Sequence, residues 1–448
     1  MARPFTLSLL SLCVLLSARS CFGSSSSTNR FNRCQFNSLN ALKPDHRVET
    51  DGGLVETWSS RHPELECAGV TATRRTLYRN GLQMPSYSPY SQMIIVIQGK
   101  GAFGLALSGC AETYEEPAKE SSSSSHKPSD SHQKIHQSGP GHVILIPRGV
   151  PFWIFNTGDE PLITVTLLDT VSEDNQLDQS PREFYLAGNP DIEHPEAMKE
   201  KQQQQAEEEG HRGVEVEEDE SDESVRHKTR HEKSWKEHRP AQEDVERGEA
   251  HEEWETRPSK DKRHGSNGLE ETICSSKLQF NIARPKSADF YNPKAGRIKN
   301  LNSQSLPALR NFGLSAQYVV LYKNGIYSPH WNMDANSVIY VIRGQGQVRV
   351  VNNEGIMVFD DELSKGQLLV VPQNFMVAEE AGDQGFEYVV FKTNDNAVTS
   401  YLKETFRAFP AEVLANIYKL KQSQVYDLKY NGNWGPLANP VQSQDQSS

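Results

Sequence analysis

The chain repeats itself, and the repeat constrains its fold more than any other feature. Leu77-Tyr78-Arg79-Asn80-Gly81 recurs as Leu321-Tyr322-Lys323-Asn324-Gly325. The run from Met93 to Gly101 is answered by Val338 to Gly346, and Gly141 to Pro147 by Gly366 to Pro372. Leu162 to Leu168 then matches the stretch around Glu387 to Phe391. Order and spacing agree apart from a long insertion in the first copy, so this is a duplicated domain. Within each copy, short β-branched and aromatic runs alternate with Gly, Pro and Asn-Gly turns, the pattern of an all-β antiparallel sandwich or barrel.

The material between and inside the copies is different. Ser121 to Ser125 and their polar neighbours read as a loop insertion. Residues 199–264 hold 21 acidic and 14 basic residues with almost nothing apolar. Such a segment buries too little surface to offset its ordering entropy, and an acidic disordered linker is expected over 191–267. Trp235 and Trp254 are expected to be exposed there, and the six histidines between His211 and His264 to be solvated. Near the end, a helix is expected after Phe409. Pro410 suits its first turn, and Val413, Leu414, Ile417 and Leu420 fall on one face.

With 448 residues the chain is long enough for two domains. Its formal charge of −12 argues against a general nucleic-acid binder, which needs a basic face. From Gly268 onward acidic and basic residues balance, 17 against 17, so the negative charge of the mature chain lies before that point. Beyond the N-terminus no apolar run reaches the roughly 18 residues that a membrane span needs.

Arg3 and the apolar run Leu7 to Leu16 read as a secretory leader over residues 1–23, cut after Gly23 or after Ser20. With the cut after Gly23, four of the six cysteines remain: Cys34, Cys67, Cys110 and Cys274. In an oxidising compartment they are expected to form two disulfides, and arithmetic alone leaves three pairings open. No Cys-x-x-Cys or His-rich cluster suggests zinc, and no N-glycosylation sequon is present.

The strand–Gly–strand pattern followed by G-x5-P, found twice, resembles the cupin superfamily of small double-stranded β-helix, or jelly-roll, barrels. The resemblance implies an all-β bicupin with a few short helices. Enzymatic cupins hold a metal ion with three His and one Glu. In the second copy His330 keeps the first of these positions, Asn332 and Ser337 stand for the next two, and Val377 for the last. In the first copy the counterparts are Ser86 or Pro85, Ser88 or Tyr87, Gln92, and Phe152. One imidazole in one barrel and none in the other is too small a donor set for an ion. His330 is therefore read as a vestigial ligand position that packs or hydrogen-bonds. No nucleophile elbow, P-loop, dinucleotide fingerprint or HExxH motif supplies other chemistry. No catalytic residue, metal or cofactor is expected.

Asn267-Gly268-Leu269-Glu270-Glu271-Thr272-Ile273-Cys274 resembles the junction of the legumin-type (11S) seed storage globulins. Ala68-Gly69-Val70, Gln176-Leu177-Asp178, Phe184 to Pro190 and Phe391 to Ala397 extend the resemblance over essentially the whole mature chain. It implies cleavage by an asparaginyl endopeptidase between Asn267 and Gly268, leaving chains of 244 residues (24–267) and 181 residues (268–448). It also implies Cys34–Cys67 within the first chain and Cys110–Cys274 across the cut. Trimers that pair into hexamers, and delivery through the secretory pathway to protein storage vacuoles, are implied as well. The domains expected are a first barrel over 34–190, the linker, a second barrel with a helical arm over 268–430, and a disordered tail over 431–448.

Two departures from the family stand out. The second chain is neutral where the family's is basic, and no helical arm is legible after Pro190, which bears on the trimer. The function expected is a nutrient reservoir without enzymatic activity. A secreted cupin metal enzyme and a barrel holding a small ligand or sugar are the alternatives. Interior residues of both barrels are expected to be apolar core.

Overall fold

The computed structural model describes residues 34–112, 114–115, 131–133, 135–172, 175–177, 180–187, 274–431 and 435–439. The expected leader, the serine-rich insertion, the linker, the Asn267–Gly268 junction, the end of the tail and any arm after Pro190 lie outside these residues. No helix among the described residues is long and apolar enough to cross a membrane.

Both copies are antiparallel β-barrels. In the first, a seven-stranded sheet runs in the order His46–Thr50, Gly53–Trp58, Val70–Leu77, Leu162–Asp169, Gln92–Gln98, His142–Ile146, Gln279–Asn281. A five-stranded sheet closes the other side, ordered Phe184–Tyr185, Leu82–Tyr87, Phe152–Asn156, Gly101–Leu105, Ile135–Ser138. The second barrel uses the same plan with longer strands. Ser337–Val351 and Met376–Lys392 each bend through both halves of the barrel and pair with one another along most of their length.

The repeat is visible in the backbone. Asn80 (φ 60°) and Asn324 (φ 54°) both turn in the left-handed region, which Asn tolerates better than most residues. The following glycines allow a close approach. A Cβ on Gly81 would overlap the Gly52 carbonyl oxygen, and one on Gly325 the Ala295 carbonyl oxygen.

The runs Met93–Val96 and Val338–Val341 are apolar at every position because both faces of these strands are covered, as in sheets buried on two sides. In the second barrel Ile339 and Val341 point into the interior, whereas Val338 and Tyr340 join a core shared with the first barrel. Leu306, Leu309, Phe312 and Leu314 pack into that shared core too. Trp58 meets Tyr340 edge-on (centroids 6.2 Å apart). Arg74, paired with Glu56 at 2.5 Å, donates from Nη1 to the Tyr340 hydroxyl (3.0 Å).

Each barrel borrows a segment from the other half of the chain. Gln279–Asn281 adds the edge strand of the first barrel beside His142–Ile144, although residues from 268 onward are expected in the second. Leu278 and Ile282, on either side, are buried in the shared core. Conversely, Leu39 is buried in the interior core of the second barrel, its amide donating to the Val358 carbonyl (2.7 Å). Leu42 forms an antiparallel bridge with Leu368. The disulfides Cys34–Cys67 and Cys110–Cys274 anchor the two exchanged segments, in the pairing that the resemblance implies.

The helix after Phe409 spans Ala411–Tyr418 and is flanked by the helices Leu402–Ala408 and Gln422–Tyr430. Its apolar residues divide otherwise than on one buried face. Ala411 and Leu414 pack inward, while Val413 and Ile417 stay exposed (41% and 63%). The partners of Leu414 are few, essentially Val425 and neighbouring side chains, so the helices cover only a narrow stripe.

Candidate functional site

Enzymatic cupins work inside the barrel, and the interior is where sequence and structure are best compared. His330, on the strand Ile326–Asn332, lies opposite Val377, just as Ser86 lies opposite Phe152 in the first barrel. The structure thus selects Ser86 over Pro85 as the counterpart of His330. The ring of His330 is buried, stacks on Tyr327 (centroids 3.9 Å) and donates from Nδ1 to the Ser328 carbonyl (3.0 Å). Burial disfavours its cation and lowers its pKa to about 3, so the imidazole is neutral at physiological pH.

The remaining vestigial positions are tied to one another. Asn332 Nδ2 donates to Ser337 Oγ (2.5 Å), Thr399 Oγ1 donates to Asn332 Oδ1 (2.9 Å), and Lys392 Nζ donates to Thr399 Oγ1 (2.9 Å). An amide and hydroxyls already engaged this way, beside the aliphatic Val377 and a lysine ammonium, do not fit a divalent metal. Among the described residues no three His, Cys, Asp or Glu side chains converge.

The expectation of an apolar interior is corrected for the second barrel. Glu379 and Lys392 are both buried within it, 2% and 4% exposed. Burial raises the Glu379 pKa to about 8 and lowers that of Lys392 to about 8. Glu379 Oε2 lies 3.9 Å from His330 Nδ1. The Tyr388 hydroxyl faces the same carboxyl, but neither it nor Oε2 reaches hydrogen-bond geometry. Lys392, Thr399, Asn332 and Ser337 satisfy one another in a chain, whereas Glu379 is tolerated by staying protonated at neutral pH.

The first barrel fills the same place differently. Tyr185 pairs with Ser86 as Tyr401 pairs with His330, which makes Glu183 the counterpart of Thr399. The Glu183 carboxylate reaches inward to Arg75 (2.7 Å) and accepts from Ser86 Oγ (2.6 Å). Of the other ligand counterparts, Ser88, Gln92 and Phe152 are all buried. Glu183, Arg75, Glu379, Lys392 and Thr399 were not legible as interior residues. The only available signal was the repeat itself, which aligns the two short strands that cross the barrel mouths.

A family model described as Cupin matches residues 39–192 and 280–426. The duplicated match and the two barrels define the chain as a bicupin. Glycinin G4 of Glycine max is 50% identical over 565 aligned residues, covering 99% of each chain. Legumin type B of Vicia faba is 49% identical over the full length of both. The crystal structure of the coconut allergen cocosin superposes with a TM-score of 0.70 at 34% identity, over 91% of this chain and all of that one. With half its residues shared along its entire length, this chain belongs to the legumin-type, or 11S, seed storage globulins. It is a storage globulin and not an enzyme.

Proposed function

We propose that the chain is a nutrient reservoir of seeds, delivered through the secretory pathway to protein storage vacuoles. There an asparaginyl endopeptidase cuts it after Asn267. The observation that carries the reading is the near-half identity with a glycinin and a legumin along the whole chain. The Cys110–Cys274 bond supports the processing step, since it would join the two products across the cut. The glutamine- and glutamate-rich runs around 202–220 then serve as stored amino nitrogen.

The mature protein associates with itself, as trimers and then hexamers. Exposed Val413, Ile417 and Tyr418 on the helix Ala411–Tyr418 and Leu428 on Gln422–Tyr430 offer the apolar surface for it. Electrophoresis of seed protein tests the reading. One abundant band without reductant should resolve, with reductant, into chains matching 24–267 and 268–448. A single uncleaved chain under both conditions overturns the processing. Light scattering on precursor and cut protein tests the assembly, and monomers at micromolar concentration in both forms overturn it.

A further inference from the structure

Donors from four of the described residues meet the Glu183 carboxylate. Arg75 Nη2 (2.7 Å) and the Tyr185 hydroxyl (3.1 Å) donate to Oε2, while Ser86 Oγ (2.6 Å) and Gln83 Nε2 (3.1 Å) donate to Oε1. The Arg75 and Glu183 side chains are 7% and 8% exposed. A guanidinium, an amide and hydroxyls aimed at two oxygens form a complete receptor for one carboxylate. A carboxylate beside the buried Arg75 guanidinium offsets part of its desolvation cost, so the receptor favours occupancy.

Arg75, Gln83 and Ser86 belong to the barrel wall, but Glu183 arrives on a separate strap, Ser180–Ala187. Contacts that hold the strap include two paired residues, stacking of Phe184 on Tyr87 (5.1 Å), and two hydrogen bonds. These run from the Tyr90 hydroxyl to the Ser180 carbonyl (2.7 Å) and from the Leu186 amide to the Pro85 carbonyl (2.8 Å). In the second barrel the equivalent strap residue is the neutral Thr399, so recognition of a carboxylate is not a requirement of the fold.

We propose that the interior of the first barrel is a binding site for a small monocarboxylate, built from Arg75, Gln83 and Ser86 and filled by Glu183 when the strap is closed. A free carboxylate must compete with Glu183, whose short tether gives it an effective concentration on the order of millimolar or above. The intact chain therefore binds such a ligand weakly, and shortening Glu183 uncovers the site. The atoms removed by Glu183→Ala amount to an acetate, which makes acetate the probe.

The test is a thermal-denaturation titration of the full chain with sodium acetate against sodium chloride at equal ionic strength. Glu183→Ala should melt below the parent in chloride and recover saturably in acetate, by about 3 °C at 100 mM. The parent, whose own Glu183 fills the site, should respond far less than the variant, and adding Arg75→Met should abolish the recovery. Equal responses of parent and variant, or a recovery that survives Arg75→Met, overturn the proposal. Should Glu183→Ala not fold in chloride, refolding yield replaces the melting curve. An acetate-dependent yield then supports the site, and equal yields in both salts overturn it.

Discussion

Cutting the chain at the proposed site and then removing Cys110–Cys274 asks how firmly the exchanged segments clasp the two halves. Four side chains cross directly: Leu278 and Ile282 from the second chain, Leu39 and Leu42 from the first. Each is at most 5% exposed. At about 1.5–3 kcal/mol for burying one large aliphatic side chain, they contribute roughly 6–12 kcal/mol. The sheet-on-sheet face around Trp58, Tyr340, Leu306 and Phe312 adds a comparable amount. Association of two free chains costs roughly 4–15 kcal/mol, so the clasp should hold without a covalent link. Cut Cys274→Ser protein should thus elute as one species in native size-exclusion at micromolar concentration. Its two chains should part in denaturant alone, with no reductant. In the uncut precursor the same substitution opens a loop between residues 164 apart in sequence, worth about 5 kcal/mol on the chain-entropy account, and lowers the melting temperature. A free 181-residue chain in the native elution profile would refute the reasoning.

Elemental analysis of dialysed protein should find far less than one manganese, iron or zinc per chain, because Asn332, Ser337, Val377 and Phe152 replace the ligands a cupin enzyme needs. About one metal per chain would revive the enzyme reading. Glu379, whose pKa is raised to about 8 by burial, binds its proton more tightly folded than unfolded. The sign follows: the contribution of Glu379 to stability falls as pH rises from about 4.5 through about 8, opposed up to about 6.5 by His330, which the fold keeps neutral, and denaturant titrations of Glu379→Gln should lose the falling part. An unchanged slope would show that Glu379 is not the group titrating. Gly325→Ala should cost about 1–3 kcal/mol in chemical denaturation, since the new methyl meets the Ala295 backbone. A neutral result would mean the turn relaxes freely.

The duplicated barrels were legible because the repeat marks turns and strands together. The ligand census was legible because the cupin positions sit at fixed offsets from the turn glycines. The polar interior was not. In Val70–Leu77 the adjacent Arg74 and Arg75 point to opposite faces, one toward Tyr340 of the second barrel and one into the first barrel. Alternation separates core from surface only when one face meets water, and here neither does. Glu183 and Thr399 lie far along the chain from the residues they bind, so no local motif announces them. The segment exchange escaped notice for the same reason. Gln279–Asn281 reads as an ordinary short strand, and only its pairing assigns it to the first barrel. As for Ile417, helical period placed it on one stripe with Leu414, but among the described residues Leu414 is covered and Ile417 is left exposed.

The borrowed edge strand also dictates an order of events during synthesis. The first barrel leaves the ribosome with His142–Ile146 lacking the neighbour that Gln279–Asn281 supplies more than a hundred residues later. Leu39 and Leu42 must wait longer still, for Val358 and Leu368. Contacts so distant in sequence form slowly, and an open sheet edge invites wrong pairings in the interval. The first barrel is closed only once Gln279–Asn281 exists, and the second only once Met376–Lys392 does. A protease acting before that point would turn an intramolecular search into an encounter between two incomplete, aggregation-prone chains. The proposed cleavage after Asn267 would therefore have to come after folding, which makes the uncut precursor the species that must fold well.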